Sequence, residues 1–228
     1  MGLFTVQDLR GIPAFCSLSD ESLEALLERH RCVEVEAAQT LVLEQDWGDN
    51  LMVILSGLAK VRSFTADGEE AVLSLVGAGE LLGELAVLDG DPRSADVVTL
   101  STVQLLKLQG TAFKKVLETS VQLSLSIARL EASRLRDLNG RFAIQQSDAT
   151  TRVLNAIAYL AQKSNGTDDP LSVIPPIPKG EIALIAGLAR ESSSRTLSKL
   201  RDRGIVIEED GCLRLASLDP LKKRGLIA

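Results

Sequence analysis

The feature that most constrains this fold is a series of short apolar segments between residues 32 and 108, each closed by a turn signal. Asp67-Gly68, which separates two of these segments, is a strong β-hairpin signal. Short strands with turns about ten residues apart favour an antiparallel barrel or jelly roll. The predicted strand segments are 41–43, 51–55, 59–61, 71–76 and 97–108.

Helical periodicity replaces the strand pattern on both sides of this region. Before it, residues 1–31 carry leucines at helical spacing behind serine and aspartate capping residues. After it, residues 111–146 hold few helix breakers and carry a narrow apolar stripe. Such a helix packs on its own barrel or pairs with a second copy of itself, and we expect both, at different ends. The stripe consists of Leu123, Ile127, Leu130, Arg134, Leu138 and Phe142.

The C-terminal third has the pattern of a winged helix-turn-helix. Asp148 is a candidate N-cap for a helix over 149–162. Two short predicted helices, 179–187 and 190–203, are joined by a tight turn that contains glycine, which is the helix-turn-helix arrangement. Asp210-Gly211 then predicts the hairpin that forms a wing.

The second helix of this pair carries side chains suited to nucleic acid. An arginine in its first turns can bond both acceptors of a guanine, and a glutamate can accept from a cytosine amino group. Serine and lysine side chains suit phosphate oxygens. The alternative is a polar helix face that contacts only water, but the preceding turn and the following hairpin favour DNA. The predicted DNA-contacting residues are Lys179, Arg190, Glu191, Ser192, Ser194, Arg195 and Lys199.

A second motif, in residues 83–95, predicts a site for a sugar phosphate. Gly83 lets backbone amides approach an anion, and Arg93 offers a planar fork of donors that matches phosphate oxygens. Ser94 adds a hydroxyl beside that arginine. Glu84 would repel a phosphate, but it can accept a hydrogen bond from a sugar hydroxyl. The alternative is a surface loop in which Glu84 and Arg93 only pair with each other.

The small number of cysteines and histidines argues against several chemistries. Cys16, Cys32 and Cys212 are odd in number and far apart, which supports neither a disulfide framework nor a zinc site, and their role is open. His30 is the only histidine. The sequence shows no nucleophile–base pair, metal constellation or Walker-type loop, so we expect no catalytic residues and no bound metal.

Charge is divided unevenly along the chain, whose total is −6. Residues 1–147 hold 13 Lys and Arg against 21 Asp and Glu, and residues 148–228 hold 12 against 10. A mildly basic C-terminal part is weak support for nucleic acid. We find no apolar stretch long enough to cross a membrane and no signal peptide, so we expect a cytoplasmic protein with no membrane partner.

The order of these parts resembles the CRP–FNR family of bacterial transcription regulators over nearly all 228 residues. The resemblance rests on residues 83–95, similar to the family's phosphate-binding cassette, and on Arg190-Glu191 with Arg195, similar to its recognition helix. It implies an α+β fold in three parts. These are a cyclic-nucleotide-binding jelly-roll β-barrel over 1–119, a dimerisation helix and hinge over 120–147, and a winged helix-turn-helix DNA-binding domain over 148–228.

The resemblance also implies an effector and partners. Glu84 would bind the ribose 2′-hydroxyl of a cyclic nucleotide, with cAMP as the expected ligand and no other cofactor, while Arg93 and Ser94 would hold its phosphate. A homodimer, joined through the stripe on the long helix, would read an inverted pair of DNA half-sites and act with RNA polymerase. The predicted ligand-binding residues are Gly83, Glu84, Leu85, Ala86, Arg93, Ser94, Val61, Leu73, Ser74, Arg134, Leu138 and Asn139.

Departures from the family pattern leave the ligand open. Members that respond to cAMP place a Thr-Ser pair on the dimer helix against adenine, where this chain has Leu138 and Asn139. A glycine usual in the early barrel turn is replaced by Asp46, which we expect in the left-handed region. A regulator with another ligand or none, and a nucleotide-binding module that acts on a protein partner, are the alternatives.

Overall fold

The N-terminal segment forms two short helices rather than one. In the computed structural model, which describes residues 4–164 and 166–227, these are α1 (Val6–Arg10) and α2 (Asp20–Leu27). The helical prediction over 1–31 is therefore wrong between them, because Pro13 lacks an N–H and cannot continue a helix. Residues 1–3 of that prediction lie outside the described residues.

Eight strands build the predicted barrel from two antiparallel four-stranded sheets, with orders β1-β8-β3-β6 and β2-β7-β4-β5. This confirms the α+β fold class with its β-rich N-terminal part. The strands are β1 (Arg31–Val35), β2 (Thr40–Val42), β3 (Asn50–Ser56), β4 (Ala59–Phe64), β5 (Glu70–Val76), β6 (Leu81–Leu82), β7 (Asp96–Thr99) and β8 (Val103–Gln109).

The predicted strand over 97–108 is two strands, because the chain turns between β7 and β8. The N–H groups of Leu100 and Ser101 both donate to the carbonyl of Leu58, at 2.8 and 3.3 Å, which bends the chain there. Two strands, β1 and β6, and a short helix, α3 (Glu84–Asp89), were not predicted at all. β6 has only two residues, too few for a periodic pattern.

The helical region after the barrel is also divided, into α4 (Gly110–Thr119) and α5 (Val121–Ile144). Ser120 separates them with extended backbone angles, φ −112° and ψ 104°, and its side chain accepts from the N–H of Leu123. A serine that caps the second helix is a local signal within the predicted helical region.

The C-terminal part is a winged helix-turn-helix, as predicted. α6 (Ala149–Ser164) begins behind Asp148, whose carboxylate accepts from the N–H of Thr151 at 2.9 Å. The turn after the second C-terminal helix is made by Gly187, with φ +60°. The remaining elements are α7 (Lys179–Ala186), α8 (Arg190–Asp202), β9 (Val206–Glu209), β10 (Cys212–Leu215) and α9 (Asp219–Lys222).

The wing hairpin has the turn that its sequence predicts. Asp210 and Gly211 both have positive φ, +50° and +79°, which two-residue turns of type I′ require. β9 and β10 pair in antiparallel register, with Leu215 opposite Val206.

One hydrophobic cluster joins the barrel to the C-terminal domain. Leu58, Leu75 and Leu100 of the barrel are at most 5% exposed and pack in the same cluster as Leu154 and Leu200. Two further clusters fill the barrel interior and the space between the barrel and the N-terminal helices. The two domains therefore share a core.

Charged side chains border that shared core. Lys60 on β4 is 3% exposed, lies 2.6 Å from Glu70 Oε1, and donates to Glu181 Oε2 on α7 at 2.6 Å. Lys163, at the end of α6, donates to Glu80 at 2.8 Å. We call this contact region, with Lys60, Glu181, Lys163 and Glu80, the domain interface.

Candidate functional site

A cavity of about 350 Å³ opens between the barrel and α5. Eleven of the twelve residues predicted to bind a ligand line it, and Asn139 is the exception. The lining consists of Val42, Val61, Leu73, Ser74, Val76, Leu82, Gly83, Glu84, Leu85, Ala86, Arg93, Ser94, Ala95, Val97, Glu131, Arg134, Leu135 and Leu138.

Gly83 sets the geometry of the segment that borders this cavity. It has φ +82°, a left-handed conformation that glycine adopts without strain, and it stands as the N-cap of α3. No side chain caps that helix, so the first amides, from Glu84 onward, have no side-chain partner. Leu85 and Ala86 follow in the first turn and line the cavity.

Arg93 lines the cavity, and backbone carbonyls fix its guanidinium. Its Nη1 donates to the carbonyl of Gly83 at 2.8 Å, and its Nη2 donates to the carbonyl of Asn50 at 2.6 Å. The residue is 5% exposed, and burial lowers the pKa of its guanidinium, against the opposing effect of the carboxylates of Glu84 and Asp49. An arginine remains charged even so. The cavity therefore holds a buried cation in a set orientation.

Glu84 is the acidic member of the site, and only one of its two carboxylate oxygens has a hydrogen-bond partner. The residue is 3% exposed, and its Oε1 accepts from Arg134 Nη1 at 2.6 Å. Its Oε2 is buried with no hydrogen-bond partner among the described residues. A buried carboxylate oxygen without a donor is costly, and this atom is free to accept a hydrogen bond from a hydroxyl or an amine in the cavity.

Arg134 connects the long helix to the segment that carries Glu84. Besides Glu84, its guanidinium contacts Glu131 Oε1 at 3.0 Å and the carbonyl of Leu81. Burial alone would lower the pKa of Arg134, but the neighbouring carboxylates of Glu84 and Glu131 outweigh that effect and raise the pKa. Burial raises the pKa of Glu131, and Glu84 raises it further, while Arg134 acts in the opposite direction.

A bulge in β5 brings Leu73 and Ser74 to the cavity. Val61 pairs with Ser74 and Arg62 pairs with Val72, so Leu73 is an extra residue on β5. The carbonyl of Leu73 accepts from Arg141 near the end of α5. The same strand therefore touches both the cavity and the long helix.

The left-handed residue in the early barrel turn is Gln45, with φ +66°, and not Asp46. The prediction for Asp46 is wrong by one position, because the turn closes earlier. The N–H of Gln45 donates to the carbonyl of Arg93 at 2.8 Å, and the N–H of Arg93 donates to the carbonyl of Asp46 at 2.9 Å. These two bonds tie the turn to the backbone of Arg93.

The predicted DNA-facing residues lie on an exposed surface of α8. Arg190, Glu191, Ser194 and Arg195 are exposed and together border one shallow depression. Ser192 and Lys199 lie on the flank of the helix, since they are seven residues apart and turned away from Arg190. Lys179, also exposed, begins α7 and donates to Glu208 of the wing.

Comparisons with protein families match both the barrel and the C-terminal domain. A model of the cyclic nucleotide-binding domain matches residues 32–120, and a model of the Crp-like helix-turn-helix domain matches residues 151–224. The chain belongs to the CRP–FNR family. The exact bounds predicted for its three parts, 1–119, 120–147 and 148–228, stay predictions.

Curated relatives of this CRP–FNR protein match it along most of their length. It is 27% identical over 214 residues to the CRP-like cAMP-activated global transcriptional regulator of Mycobacterium tuberculosis, a match that covers 92% of this chain and 95% of that one. It is 29% identical over 199 residues to the cyclic AMP receptor protein of Thermus thermophilus, covering 87% and 89%. Relatives of this kind are transcription regulators rather than enzymes.

Solved structures agree on the CRP–FNR fold. FixK2 from Bradyrhizobium japonicum superposes with a TM-score of 0.73 at 16% identity, covering 88% of this chain and 98% of that one. The c-di-GMP-responsive global regulator CLP of Xanthomonas campestris superposes with a TM-score of 0.69 at 20% identity, covering 87% and 100%. At these identities the likeness concerns the fold alone.

In the CRP–FNR fold, sequence reasoning missed two cavity residues on α5, Glu131 and Leu135. Helical spacing could have found them, because Glu131 lies three residues before Arg134 and Leu135 lies three residues before Leu138. Asn139, predicted to contact a base, is exposed and lies outside the cavity lining of the single chain.

The predicted dimer stripe of this CRP–FNR chain is divided between two environments. Leu123 and Ile127 are 0% and 3% exposed in the core of their own protomer, which leaves them no surface for a partner, so their assignment to a dimer interface is corrected. Leu130 packs partly against the same cluster, and Arg134 contacts Glu84. Leu138 and Phe142 are 45% and 73% exposed.

Residues 4–164 and 166–227 hold neither a membrane-spanning helix nor a cluster of metal-ligating side chains. No helix there is both long and apolar enough to cross a bilayer. The described residues also contain no group of three or more His, Cys, Asp or Glu side chains arranged to hold a metal ion. Cys16, Cys32 and Cys212 are free thiols, and none of the contacts described above gives them a role.

Proposed function

We propose that this CRP–FNR protein is a homodimeric transcription regulator controlled by a cyclic nucleotide, with cAMP as the first candidate. The observation that carries the proposal is the unpartnered Oε2 of Glu84 in the same cavity as Arg93. A ribose hydroxyl would supply the donor that Glu84 lacks, and a cyclic phosphate would supply the anion that suits Arg93. A cavity of about 350 Å³ is of the size that holds one small ligand.

Titration calorimetry with cAMP tests the ligand half of the proposal. Glu84→Gln and Arg93→Leu should each reduce binding strongly, because each removes a charged group that faces the cavity. The matched controls Glu24→Gln and Arg29→Leu change exposed residues of the N-terminal segment and should bind like the wild type. Unchanged binding by Arg93→Leu would show that the site assignment is wrong.

The identity of the base is tested in the same experiment with cGMP and cyclic di-GMP. Beyond its charged groups and serines, the cavity is lined by aliphatic side chains, including Leu135 and Leu138. Such a lining selects by shape rather than by hydrogen bonds to a base edge. Binding of cyclic di-GMP in preference to cAMP would support a regulator with another ligand, the class to which the c-di-GMP-responsive regulator of Xanthomonas campestris belongs.

The dimer half of the proposal rests on the exposed apolar side chains of α5. Leu135, Leu138 and Phe142 are 59%, 45% and 73% exposed and lie on one face of the helix. Pairing of two such helices would bury this face and relate two α8 helices by two-fold symmetry. Inverted DNA half-sites about 34 Å apart would match that symmetry.

DNA binding is tested by selection of bound sequences from a random duplex library. We expect inverted repeats, and we expect Arg190→Ala to cost about 1–3 kcal/mol at one half-site position. Binding should weaken steeply with salt, because basic residues displace counterions from phosphates. Failure to bind any duplex at low salt would favour the module that acts on a protein partner.

Strand β5 connects the ligand cavity directly to the DNA-binding domain, so it could couple the two sites. Leu73 and Ser74 line the cavity, and the next residue, Leu75, donates its N–H to the hydroxyl of Tyr159 on α6 at 3.0 Å. A ligand that shifts β5 therefore moves a strand bonded to the DNA-binding domain. We expect cAMP to change the affinity for DNA, and Tyr159→Phe to reduce that change.

Two further predictions belong to this regulator. RNA polymerase stays a predicted partner, to be tested by transcription in vitro, which also distinguishes activation from repression. The cytoplasm stays its predicted location, since that is where a bacterial regulator reaches DNA.

A further inference from the structure

A carboxylate of the wing forms ion pairs with two basic side chains at the edge of the proposed DNA-facing surface. Glu208 on β9 lies with its Oε1 3.1 Å from Lys179 Nζ, and its Oε2 accepts from Arg201 Nη1. Lys179 is the first residue of α7, and Arg201 is in the last turn of α8. One acidic side chain thus binds a cation from each helix of the helix-turn-helix.

Both cations belong to the surface that faces DNA in the proposed function. Arg201 follows Arg190 by eleven residues and Ser194 by seven, so all three lie on one face of α8. Gly180, next to Lys179, lies beside Arg190, since a Cβ at Gly180 would be 3.4 Å from Arg190 Nε. Lys179 and Arg201 are therefore placed where phosphates flanking a bound half-site would lie.

The wing itself carries acidic residues where phosphates would approach. Glu208, Glu209 and Asp210 are consecutive, and the last two are exposed. The side chain of Glu208 is 23% exposed, and its hydrogen bonds to Lys179 and Arg201 lower the pKa of its carboxyl. It therefore stays ionised and competes with phosphate for the same donors.

We propose that Glu208 is an internal phosphate mimic that DNA must displace from Lys179 and Arg201. This inference rests on the proposed function, in which α8 binds DNA. Contacts to phosphate supply nearly all of the affinity for non-specific DNA, whereas base contacts add to it only at the correct site. Glu208 thus weakens binding to random DNA and leaves recognition to the base contacts of Arg190 and Arg195.

The test compares Glu208→Gln with Glu209→Gln, because both remove one negative charge from adjacent residues of the wing. Fluorescence anisotropy measures the binding of each full-length variant to a random-sequence duplex over a range of salt concentrations. We expect Glu208→Gln to tighten binding about 3- to 10-fold at low salt, and to steepen the slope of log K against log salt by about 1–2. Glu209→Gln should produce a smaller change and no change of slope.

A second pair of variants checks that the two cations cause the effect. Arg201→Met should abolish most of the gain in the Glu208→Gln background and should have less effect in the wild-type background. Circular dichroism of each variant verifies the fold. The wild type, the two single variants and the double variant form a double-mutant cycle. The cycle compares the effect of Arg201→Met with and without Glu208, so a general effect of Glu208→Gln on the wing can be separated from the effect that depends on Arg201.

The outcomes separate this inference from the proposed function. Equal gains and equal salt slopes for the two glutamine variants would overturn the role of Glu208 while DNA binding stands. Weaker binding by Glu208→Gln would also overturn it, since Glu208 would then position the cations for DNA. If neither the wild type nor Glu208→Gln binds any duplex at low salt, both proposals fail.

Discussion

Gly48 makes room for the buried guanidinium on which the proposed ligand site depends. A Cβ at this position would lie 2.7 Å from Nη2 and 2.9 Å from Nε of Arg93, closer than real Cβ contacts. Arg93 could move away only by giving up its hydrogen bonds to the carbonyls of Asn50 and Gly83. Gly48 therefore fixes the position of a cation without touching the cavity itself.

We predict that Gly48→Ala weakens cAMP binding about 10- to 100-fold, the loss expected when one charge-assisted hydrogen bond is misplaced. Titration calorimetry measures this effect. Gly180→Ala is the matched control, because its Cβ would lie 3.4–3.6 Å from the Arg190 guanidinium, at ordinary contact distance. The same loss in both variants would refute the steric argument.

Among the elements, α5 has two different roles along its length. Leu123 and Ile127 are buried against the barrel, whereas Leu135, Leu138 and Phe142 lie on an exposed face nearer the C-terminus. A helix that only packed on its own barrel would not present large apolar side chains to water on a continuous face.

Phe142→Glu is therefore expected to dissociate the proposed dimer. A symmetric interface contains the change twice, and burial of each phenylalanine contributes about 1.5–3 kcal/mol, so the dimer Kd should rise at least about 100-fold. Sedimentation velocity measures the change. Ser133→Glu places the same charge on the opposite face of α5 and should leave the dimer intact, and an unaffected Phe142→Glu dimer would contradict the assignment.

The start of α6 carries a pH-dependent contribution to stability. The Thr151 N–H bonds the carboxylate of Asp148, and this bond lowers the pKa of Asp148. A lowered acid pKa stabilises the fold above the pKa of the unfolded chain, and this contribution disappears as the pH falls through the folded value.

Asp148→Asn keeps an N-cap side chain but removes the charge. We predict that it lowers the free energy of unfolding at neutral pH and that the difference from wild type shrinks toward about pH 3. Urea denaturation at several pH values measures both proteins. A difference that does not vary with pH would mean that the charge of Asp148 has no part in stability.

Local signals in the sequence predicted the elements that depend on local chemistry. The wing follows from Asp210-Gly211, and the α6 cap follows from Asp148, because both act through neighbouring backbone. The helical pattern over 111–146 did not show the break at Ser120, although the predicted boundary between 119 and 120 falls there and a serine can cap the helix that follows. The two residues of β6 escaped it because their strand character comes from pairing with β3.

In the candidate ligand site, the sequence predicted the charged residues, but it did not predict all of the residues that they contact. Glu84 and Arg93 were found from their chemistry, and the structure brings both to one cavity. The hydrogen bonds of Arg93 to Asn50 join residues 43 positions apart, and no sequence pattern encodes such a contact. Glu131 was missed because no helical register was assigned to the cavity face of α5.

In the whole molecule, the domain interface depends on a lysine that is almost completely buried. Lys60 contacts Glu70 of the barrel and Glu181 of the DNA-binding domain, so its charge is compensated from both sides. Removing the cation would leave two carboxylates close together with little access to water, which is far more costly than losing a surface ion pair.

Lys60→Met is predicted to lower the free energy of unfolding by about 3–5 kcal/mol. Chemical denaturation of the full chain measures the loss. Lys114→Met changes an exposed lysine of α4 and should lie within about 0.5 kcal/mol of wild type. A loss for Lys60→Met no larger than that of the control would mean that water reaches the interface.

The proposed control by a ligand also sets an energy scale for the proposed dimer. Moving a two-state equilibrium from mostly inactive to mostly active needs about 5.5 kcal/mol of preference for the active state. Contacts of a phosphate with Arg93 and of a hydroxyl with Glu84 are of the charge-assisted kind that supply about 1.5–3 kcal/mol each. The two contacts together approach the required preference.

The three barrel leucines that complete the core of the C-terminal domain limit how this protein can be re-engineered. Leu58, Leu75 and Leu100 belong to the N-terminal half of the chain, yet they cover apolar side chains of α6 and its neighbours. In a chimera that joins this DNA-binding domain to a foreign sensor domain, the apolar side chains of α6 would be exposed to water unless the sensor domain presents leucines at the matching positions. Exchanges of DNA specificity between family members should therefore replace α8 alone, or transfer Leu58, Leu75 and Leu100 together with the C-terminal domain.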